Sequence, residues 1–277
     1  SMTCALLAHK ALGKKAIIIF IDNGLMRTSD KKRIRQLKSF GIDVKILNAQ
    51  KDFFRALRDK RDPEKKRKAF RQIFYKTLGR AVRSNRVKSL IQGTIAADII
   101  ETKGKIKTQH NILEQIGINP QKRFGFKVVE PLRNIFKFQV RKVAKELGLP
   151  SLVYSQMPFP GPGLATRIIE EVRPWKVRIL RKATEIIEEE IEKLRPFQAF
   201  AVLLNDKATG IKGKKRFFGN IVVIRSVESR DAMTASVTHI PWPILERIRD
   251  RIINQIPSVV KVLFDITPKP PSTIEYI

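Results

Sequence analysis

Along the first half of the chain, short apolar runs alternate with stretches in which apolar residues recur every three to four positions. Met2–Leu12 has the helical spacing and stops at Gly13, and Ala16–Ile21 is a run of strand length ending in the turn Asp22-Asn23-Gly24. Ser29 is placed to cap a helix running to Phe40, with Gly41 as its stop. Val44–Leu47 reads as a second strand, Pro63 opens a long helix, and Ser89–Gln92 is a third strand ending in Gly93-Thr94. After Glu130-Pro131 a helix over roughly Phe138 to Leu147 stops at Gly148 and Pro150. Strands separated by helices predict a parallel sheet with ligands beyond the carboxyl ends of its strands. The polar residues at those ends are Asp22, Asn23 and Thr94.

The pattern breaks at Pro158-Phe159-Pro160-Gly161-Pro162-Gly163-Leu164. Each proline fixes φ and removes a donor, and each glycine opens conformations closed to other residues, so the run continues neither helix nor central strand. It is either a plain linker or a boundary with a function, with Arg167 just beyond it. Past it, a charged helix covers about Arg173–Lys193, Ala199–Leu204 and Ile221–Val227 are strands, Pro243–Gln255 is a helix and Val259–Ile266 a strand. That order predicts an α+β unit, a mixed sheet with helices on one face. The expected division is 1–157 and 158–277.

Composition narrows the class. The 277 residues with 43% hydrophobic content suffice for one large domain or two ordinary ones. A single cysteine excludes an intramolecular disulfide framework, no apolar run reaches membrane-spanning length, and no signal-peptide pattern opens the chain, so a cytoplasmic protein is expected. Lys and Arg number 56 against 26 Asp and Glu, a formal charge of +30. Such a chain attracts polyanions in a salt-dependent way. The basic residues of Asp30–Lys38 and Pro63–Arg83 are nevertheless spread over helix faces without an aromatic stacking pattern. They read as solvated surface, with phosphate-bearing small substrates as the second reading.

Three further segments carry chemistry. Gly93–Glu101 leaves a strand with the Thr94 hydroxyl and then Asp98 and Glu101, which share a face in a helical turn. Two carboxylates beside phosphates suit Mg²⁺, and an ordinary capped first turn is the competing reading. Lys105–Asn111 sets cationic and amide side chains in a loop suited to phosphate capture. His110 has no second histidine at ligand spacing and Cys4 lies in a helix pattern, so neither a zinc site nor a cysteine-centred triad is expected. The tail Lys269-Pro270-Pro271-Ser272-Thr273-Ile274-Glu275 puts a stiff spacer between a cation and a hydroxyl–carboxylate pair. It is either a frayed end or a ligand clamp.

Together the Pro158–Leu164 run with Arg167, Gly93–Glu101, Lys105–Asn111 and Lys269–Glu275 resemble the ATP-pyrophosphatase part of GMP synthase. Asp22-Asn23-Gly24 with Arg27, Asp62-Pro63-Glu64 with Lys66-Arg67-Lys68, Glu130-Pro131-Leu132, Gln198-Ala199-Phe200, and Arg225 with Glu228 and Met233-Thr234-Ala235 extend the match from residue 1 to 277.

The resemblance implies a doubly wound α/β fold of the adenine nucleotide alpha hydrolase type followed by an α+β dimerisation domain. It implies a ligase that uses ATP and Mg²⁺. ATP adenylylates the C2 oxygen of xanthosine 5′-monophosphate (XMP), pyrophosphate leaves, and ammonia displaces AMP to form GMP. By motif position, Ser1, Asp22, Gly24 and Thr94 would lie along ATP. Asp98 and Glu101 would hold the metal, and Lys107, in the lid motif, would bridge the two nucleotides. Pro160, Gly161, Gly163 and Arg167 would hold the acceptor together with Gln198, Lys269, Thr273 and Glu275. A homodimer is implied, with ammonia from a glutamine amidotransferase, fused or separate.

The sequence also departs from the family pattern. Only Ser1 matches the pyrophosphate-binding SGGVDS loop, so a fragment is expected in preference to a homologue lacking the loop. Ala97 stands for a Pro, Gln109 for a His, Leu113 and Glu114 for a Gly pair, Phe138 and Gln139 for an acidic pair, Glu170 for a Gly and Lys214 for an acid. The alternative is a diverged homologue without catalysis, a basic RNA-binding protein or a scaffold for the amidotransferase.

Overall fold

In a computed structural model of the chain, the residues described are 2–96, 99, 121–122, 125–150, 154, 157–230 and 232–277. Their contacts divide the chain into two compact units. The first comprises Ser1–Asn23, Lys32–Ala56 and Arg67–Gln156, and the second Gly24–Lys31, Leu57–Lys66 and Met157–Ile277.

The first unit is mixed α/β with parallel strand pairs. Helix α1 (Met2–Leu12) precedes strand β1 (Ile18–Asp22), α2 is Thr28–Gln36, and β2 is Val44–Asn48. They are followed by α3 (Gln50–Leu57), α4 (Pro63–Ser84), β3 (Ser89–Ile91), β4 (Lys127–Val129) and α5 (Lys137–Glu146). β1 pairs parallel with β2, Ile18 opposite Val44 and Asp22 opposite Asn48, and β3 pairs parallel with β4. The apolar positions behind this pattern meet in small cores. Leu6, Leu37, Ile42, Val44, Ala144 and Leu149 form one, and Tyr75, Val82 and Phe126 another.

The differences from expectation are local. A 3₁₀ turn at Gly13–Lys15 delays β1, and Asp22 ends that strand instead of opening the turn. Ser29 lies inside α2, which gives way to a 3₁₀ turn at Leu37–Phe40. Helix α3 and strand β4 are additions to the expected elements. β4 is three residues long with its outer two positions exposed, too short to show a period. The start of α4 follows from its capping chemistry: Asp62 Oδ1 accepts from Lys65 N at 2.8 Å, with Pro63 as the first helical residue. The start of α5 is held by Gln139, whose Oε1 accepts from Phe136 N at 2.8 Å.

The second unit contains α6 (Pro174–Glu190), β5 (Gln198–Lys212), β6 (Lys215–Glu228), β7 (Ser236–Val237), α7 (Trp242–Gln255) and β8 (Val259–Asp265). β5 and β6 form a long antiparallel hairpin, much longer than the apolar runs alone predict, because its outer half is largely exposed and basic, with apolar residues too scattered to form a strand-length run. β7 and β8 pair along the opposite edge of β6, β8 in parallel. The sheet is therefore mixed. α6 packs on β5, α7 on β8, and the helices on each other. Arg251 and Arg247 of α7 reach Glu190 of α6 at 2.8 and 3.0 Å.

Candidate functional site

In the first unit, the predicted ATP-side residues fall at strand ends. Asp22 is buried at the carboxyl end of β1, where its Oδ2 accepts from Gln50 Nε2 at 2.9 Å and its carbonyl from Ala49 N at 2.9 Å. Thr94 follows β3 and is 3% exposed. Its hydroxyl donates to Glu130 Oε1 at 2.5 Å and accepts from Gln92 Nε2 at 3.2 Å. Tyr75 of α4 joins this network. Burial pushes its phenol up, a hydrogen bond with Gln92 opposes that, and the Glu130 charge adds to it. Ser1, Asp98, Glu101 and Lys107 lie outside the described residues. Among the described residues no group of three or more His, Cys, Asp or Glu is placed to hold a metal.

The acceptor-side residues fall in the second unit, as does Gly24. The Pro/Gly run leads into a 3₁₀ turn over Gly163–Arg167, all of it buried. Pro160 O accepts from Gly163 N at 2.9 Å, while Gly161 stays exposed. Gly163 has φ +63°, and a Cβ there would lie 2.5 Å from Leu25 O. Only glycine allows both that turn and the close approach that lets Leu164 N donate to Leu25 O at 2.9 Å.

The turn delivers Arg167, 1% exposed, to the centre of a cluster drawn from distant segments. Its Nε and Nη2 donate to the two carboxylate oxygens of Glu275 at 3.0 and 2.9 Å, a bidentate pair. The guanidinium carbon lies 3.8 Å from the Phe200 ring centroid and 5.1 Å from that of Phe159. Gln198 Nε2 also donates to Glu275, at 2.5 Å, and Thr273 Oγ1 donates to the Glu275 carbonyl. Among the described residues, Arg167 Nη1 is buried without a hydrogen-bond partner. An unsatisfied cationic donor is costly in isolation, so an anion or carbonyl reaching it would be held strongly.

Four predicted residues therefore converge: Arg167, Gln198, Thr273 and Glu275. Lys269 stands apart. Its backbone pairs with Ala235 in both directions and its Nζ donates to Ala232 O at 2.8 Å.

Some contributors escape the sequence reading as site residues although their motifs stand out. Arg225, fully buried, forms a salt bridge with Asp265 at 3.1 Å and donates to the carbonyls of Thr267 and Thr273, at 2.9 Å for the latter. It thereby ties down the tail that carries Glu275. Arg27 is held by Asp30 and Glu188, with its guanidinium 4.4 Å from the Phe159 ring centroid. Burial works against its charge, but the two carboxylates hold it above its ordinary value. Lys66 is 1% exposed and donates to Ile168 O at 2.7 Å. Burial, with the nearby Lys176 charge, brings its pKa down to about 8. A lysine in a basic helix gives no sequence signal that it turns inward.

Comparison with known proteins gives a consistent result. A family model described as the GMP synthase C terminal domain matches residues 184–276. A protein of Methanopyrus kandleri, named as one of the subunits of the glutamine-hydrolyzing GMP synthase, is 46% identical over 285 residues, covering 100% of this chain and 89% of that protein. The proteins of the same name from Pyrococcus furiosus and Archaeoglobus fulgidus are 46% and 47% identical over 280 and 278 residues. Each alignment covers 100% of this chain, and 88% and 89% of the relative.

Proposed function

Because the chain belongs to the GMP synthase family, we propose that it is the synthetase component that converts XMP to GMP with ATP and ammonia. The single observation that carries the reading is the Arg167 cluster. Residues picked out in three separated motifs meet around one buried guanidinium, with one donor left for a ligand.

In this reading the XMP C2 oxygen attacks the α-phosphorus of ATP and pyrophosphate leaves. An amide-like oxygen is a poor leaving group, and the adenylyl ester converts it into a good one. Ammonia then attacks C2, AMP departs with the oxygen, and a proton is released to give GMP. Asp22, Gly24 and Thr94 line ATP, with Ser1. Pro160, Gly161, Gly163, Arg167, Gln198, Lys269, Thr273 and Glu275 hold XMP, and Lys107 bridges the nucleotides. No side-chain nucleophile is required.

Asp98 and Glu101 are the residues that would hold Mg²⁺. Their oxygen donors suit that cation, and Thr94 precedes them from a buried strand end. When bound, the metal offsets charge on the departing pyrophosphate.

Several finer assignments belong to the same reading. Residues 1–157 form the ATP-pyrophosphatase domain, a doubly wound sheet of the adenine nucleotide alpha hydrolase type, which the parallel pairs β1–β2 and β3–β4 support. Residues 158–277 form the dimerisation and XMP-binding domain of a homodimer. The relatives are named as one component of a multi-chain, glutamine-hydrolyzing enzyme, which supports a companion glutamine amidotransferase as the ammonia source. Among the described residues no helix is long and apolar enough to cross a membrane, which is compatible with a cytoplasmic place of action.

The test is direct. The full natural protein, given XMP, ATP, Mg²⁺ and ammonium, should form GMP, AMP and pyrophosphate in equal amounts. Turnover of ATP without XMP dependence, or no turnover at all, would overturn the assignment.

A further inference from the structure

The β5–β6 hairpin extends beyond the part of β6 that β8 pairs. β8 accompanies β6 from Asn220 to Arg225, whereas the pairs from Ala208–Gly219 to Lys212–Lys215 form a two-stranded ribbon among the described residues. Residues 207–218 contain five Lys or Arg and no Asp or Glu.

The pleat sorts these residues onto two faces. Gly210 and Gly219 share one, and Val260 fills the space over them. A Cβ on Gly219 would lie 2.2 Å from Val260 Cγ1, and one on Gly210 2.5 Å from it. The other face carries Lys207, Thr209 and Ile211 from β5 opposite Asn220, Phe218 and Arg216 from β6. It is open: Ile211 is 75% and Phe218 74% exposed. At its root Lys207 Nζ lies 5.3 Å, and Lys176 Nζ 5.7 Å, from the ring centroid of Trp175, which is 40% exposed.

An exposed ring on the ribbon and a second on α6 at its root are thus interleaved with cations, with same-face positions along each strand roughly 7 Å apart. Cations beside exposed ring faces form a stacking platform with an electrostatic track. A chain of formal charge +30 also draws a polyanion toward this arm. We propose that this face of the hairpin binds single-stranded RNA, with Phe218 and Trp175 stacking on bases and Lys207, Arg216 and, at the tip, Lys214 meeting phosphates. The surface is separate from the residues assigned to GMP synthesis, so both activities reside in one protein. An acidic protein surface is the lesser fit, because salt-bridge pairing would leave both rings uncovered.

The test uses the full protein, a fluorescent 12-mer of oligouridine and anisotropy titrations at several KCl concentrations. Replacing Lys207, Lys214 and Arg216 together by Gln should flatten the slope of log K against log salt by about 2, near 0.7 for each phosphate no longer neutralised. Phe218→Ala should weaken binding about 5- to 150-fold at fixed salt, the range for removal of one stacking partner. Ammonia-dependent GMP formation and the melting temperature should stay at wild-type values in both variants. This separates failure of the RNA site from failure of the synthase reading. Lys10, Lys14 and Lys15, changed together to Gln in α1 and its following turn, serve as the charge control and should change the slope less.

The proposal is overturned if the control trio weakens RNA binding as much as the hairpin trio, or if Phe218→Ala leaves it intact. It is equally overturned if the hairpin variants lose binding to the companion amidotransferase or to phosphatidylserine vesicles while RNA affinity is unchanged.

Discussion

Glu275→Gln and Arg167→Met, alone and together, test whether the bidentate pair organises the second unit. Arg167 is 1% exposed, and its side chain is bonded to both oxygens of Glu275, which is 13% exposed. The Gln change leaves a buried guanidinium without a counter-charge and points an amide N–H₂ at existing donors, including Gln198 Nε2. Removing one partner of a buried pair costs about 3–5 kcal/mol, and the partial exposure of Glu275 argues for the lower end. Phe200, 3.8 Å from the guanidinium carbon, retains part of the cation's stabilisation. Arg167→Met strands only the more exposed carboxylate, which keeps Gln198, for a loss on the order of 2 kcal/mol. The double variant buries no charge, so it should fall short of the summed losses by about 1.5–3 kcal/mol. Trp175 and Trp242 are the chain's two tryptophans, and both lie in the second unit. Urea unfolding followed by their fluorescence therefore reads that unit, with free energies taken by linear extrapolation. Additivity of the single changes to within about 0.5 kcal/mol would refute the coupling.

Two further outcomes are expected. Gly163→Ala places a Cβ 2.5 Å from Leu25 O at φ +63°, so a loss above about 1–2 kcal/mol is expected from the same unfolding assay, with a higher KM for XMP; wild-type values for both would contradict the turn. Lys66 has a folded pKa of about 8, below its ordinary 10.5, so between those values the unfolded chain holds the extra proton. Stability should then rise with pH across that window, by at most about 1.4 kcal/mol per unit. The penalty on the charged form is full below pH 8, and Lys66→Met should remove this contribution, seen as a flatter pH profile than wild type. Parallel profiles would place the lysine in a more polar setting.

Periodicity locates helices such as Met2–Leu12 and Pro174–Glu190, which need only local spacing and a stop signal, but it misses the eight-residue α3 (Gln50–Leu57). It misjudges β5 and β6, since the outer half of that hairpin is largely exposed and basic and leaves no strand-length apolar run. The short strand β4 is invisible for the related reason that three residues show no period. Gln139, which departs from the family's acidic pattern, still caps α5 through its side-chain oxygen. That function depends on an acceptor three residues into the helix and not on its charge.

By itself the sequence determined the order of the longer elements, the break at Pro158–Leu164 and the motifs that relate this chain to its family. These are local features, set by backbone restriction and by residue type at fixed spacing. Only the tertiary structure decided which of the motif residues meet. Arg167, Gln198 and Glu275 lie up to 108 positions apart and share one hydrogen-bonded cluster, while Lys269, six residues from Glu275, turns to Ala232. It also decided which cations are buried. Lys66 and Arg225 sit in motifs that stand out, but nothing in those motifs marks them among the 56 cations as enclosed; in the fold their donors reach the carbonyls of Ile168 and Thr273. Long-range pairing of that kind carries no local signature, which is why it could not be read along the chain.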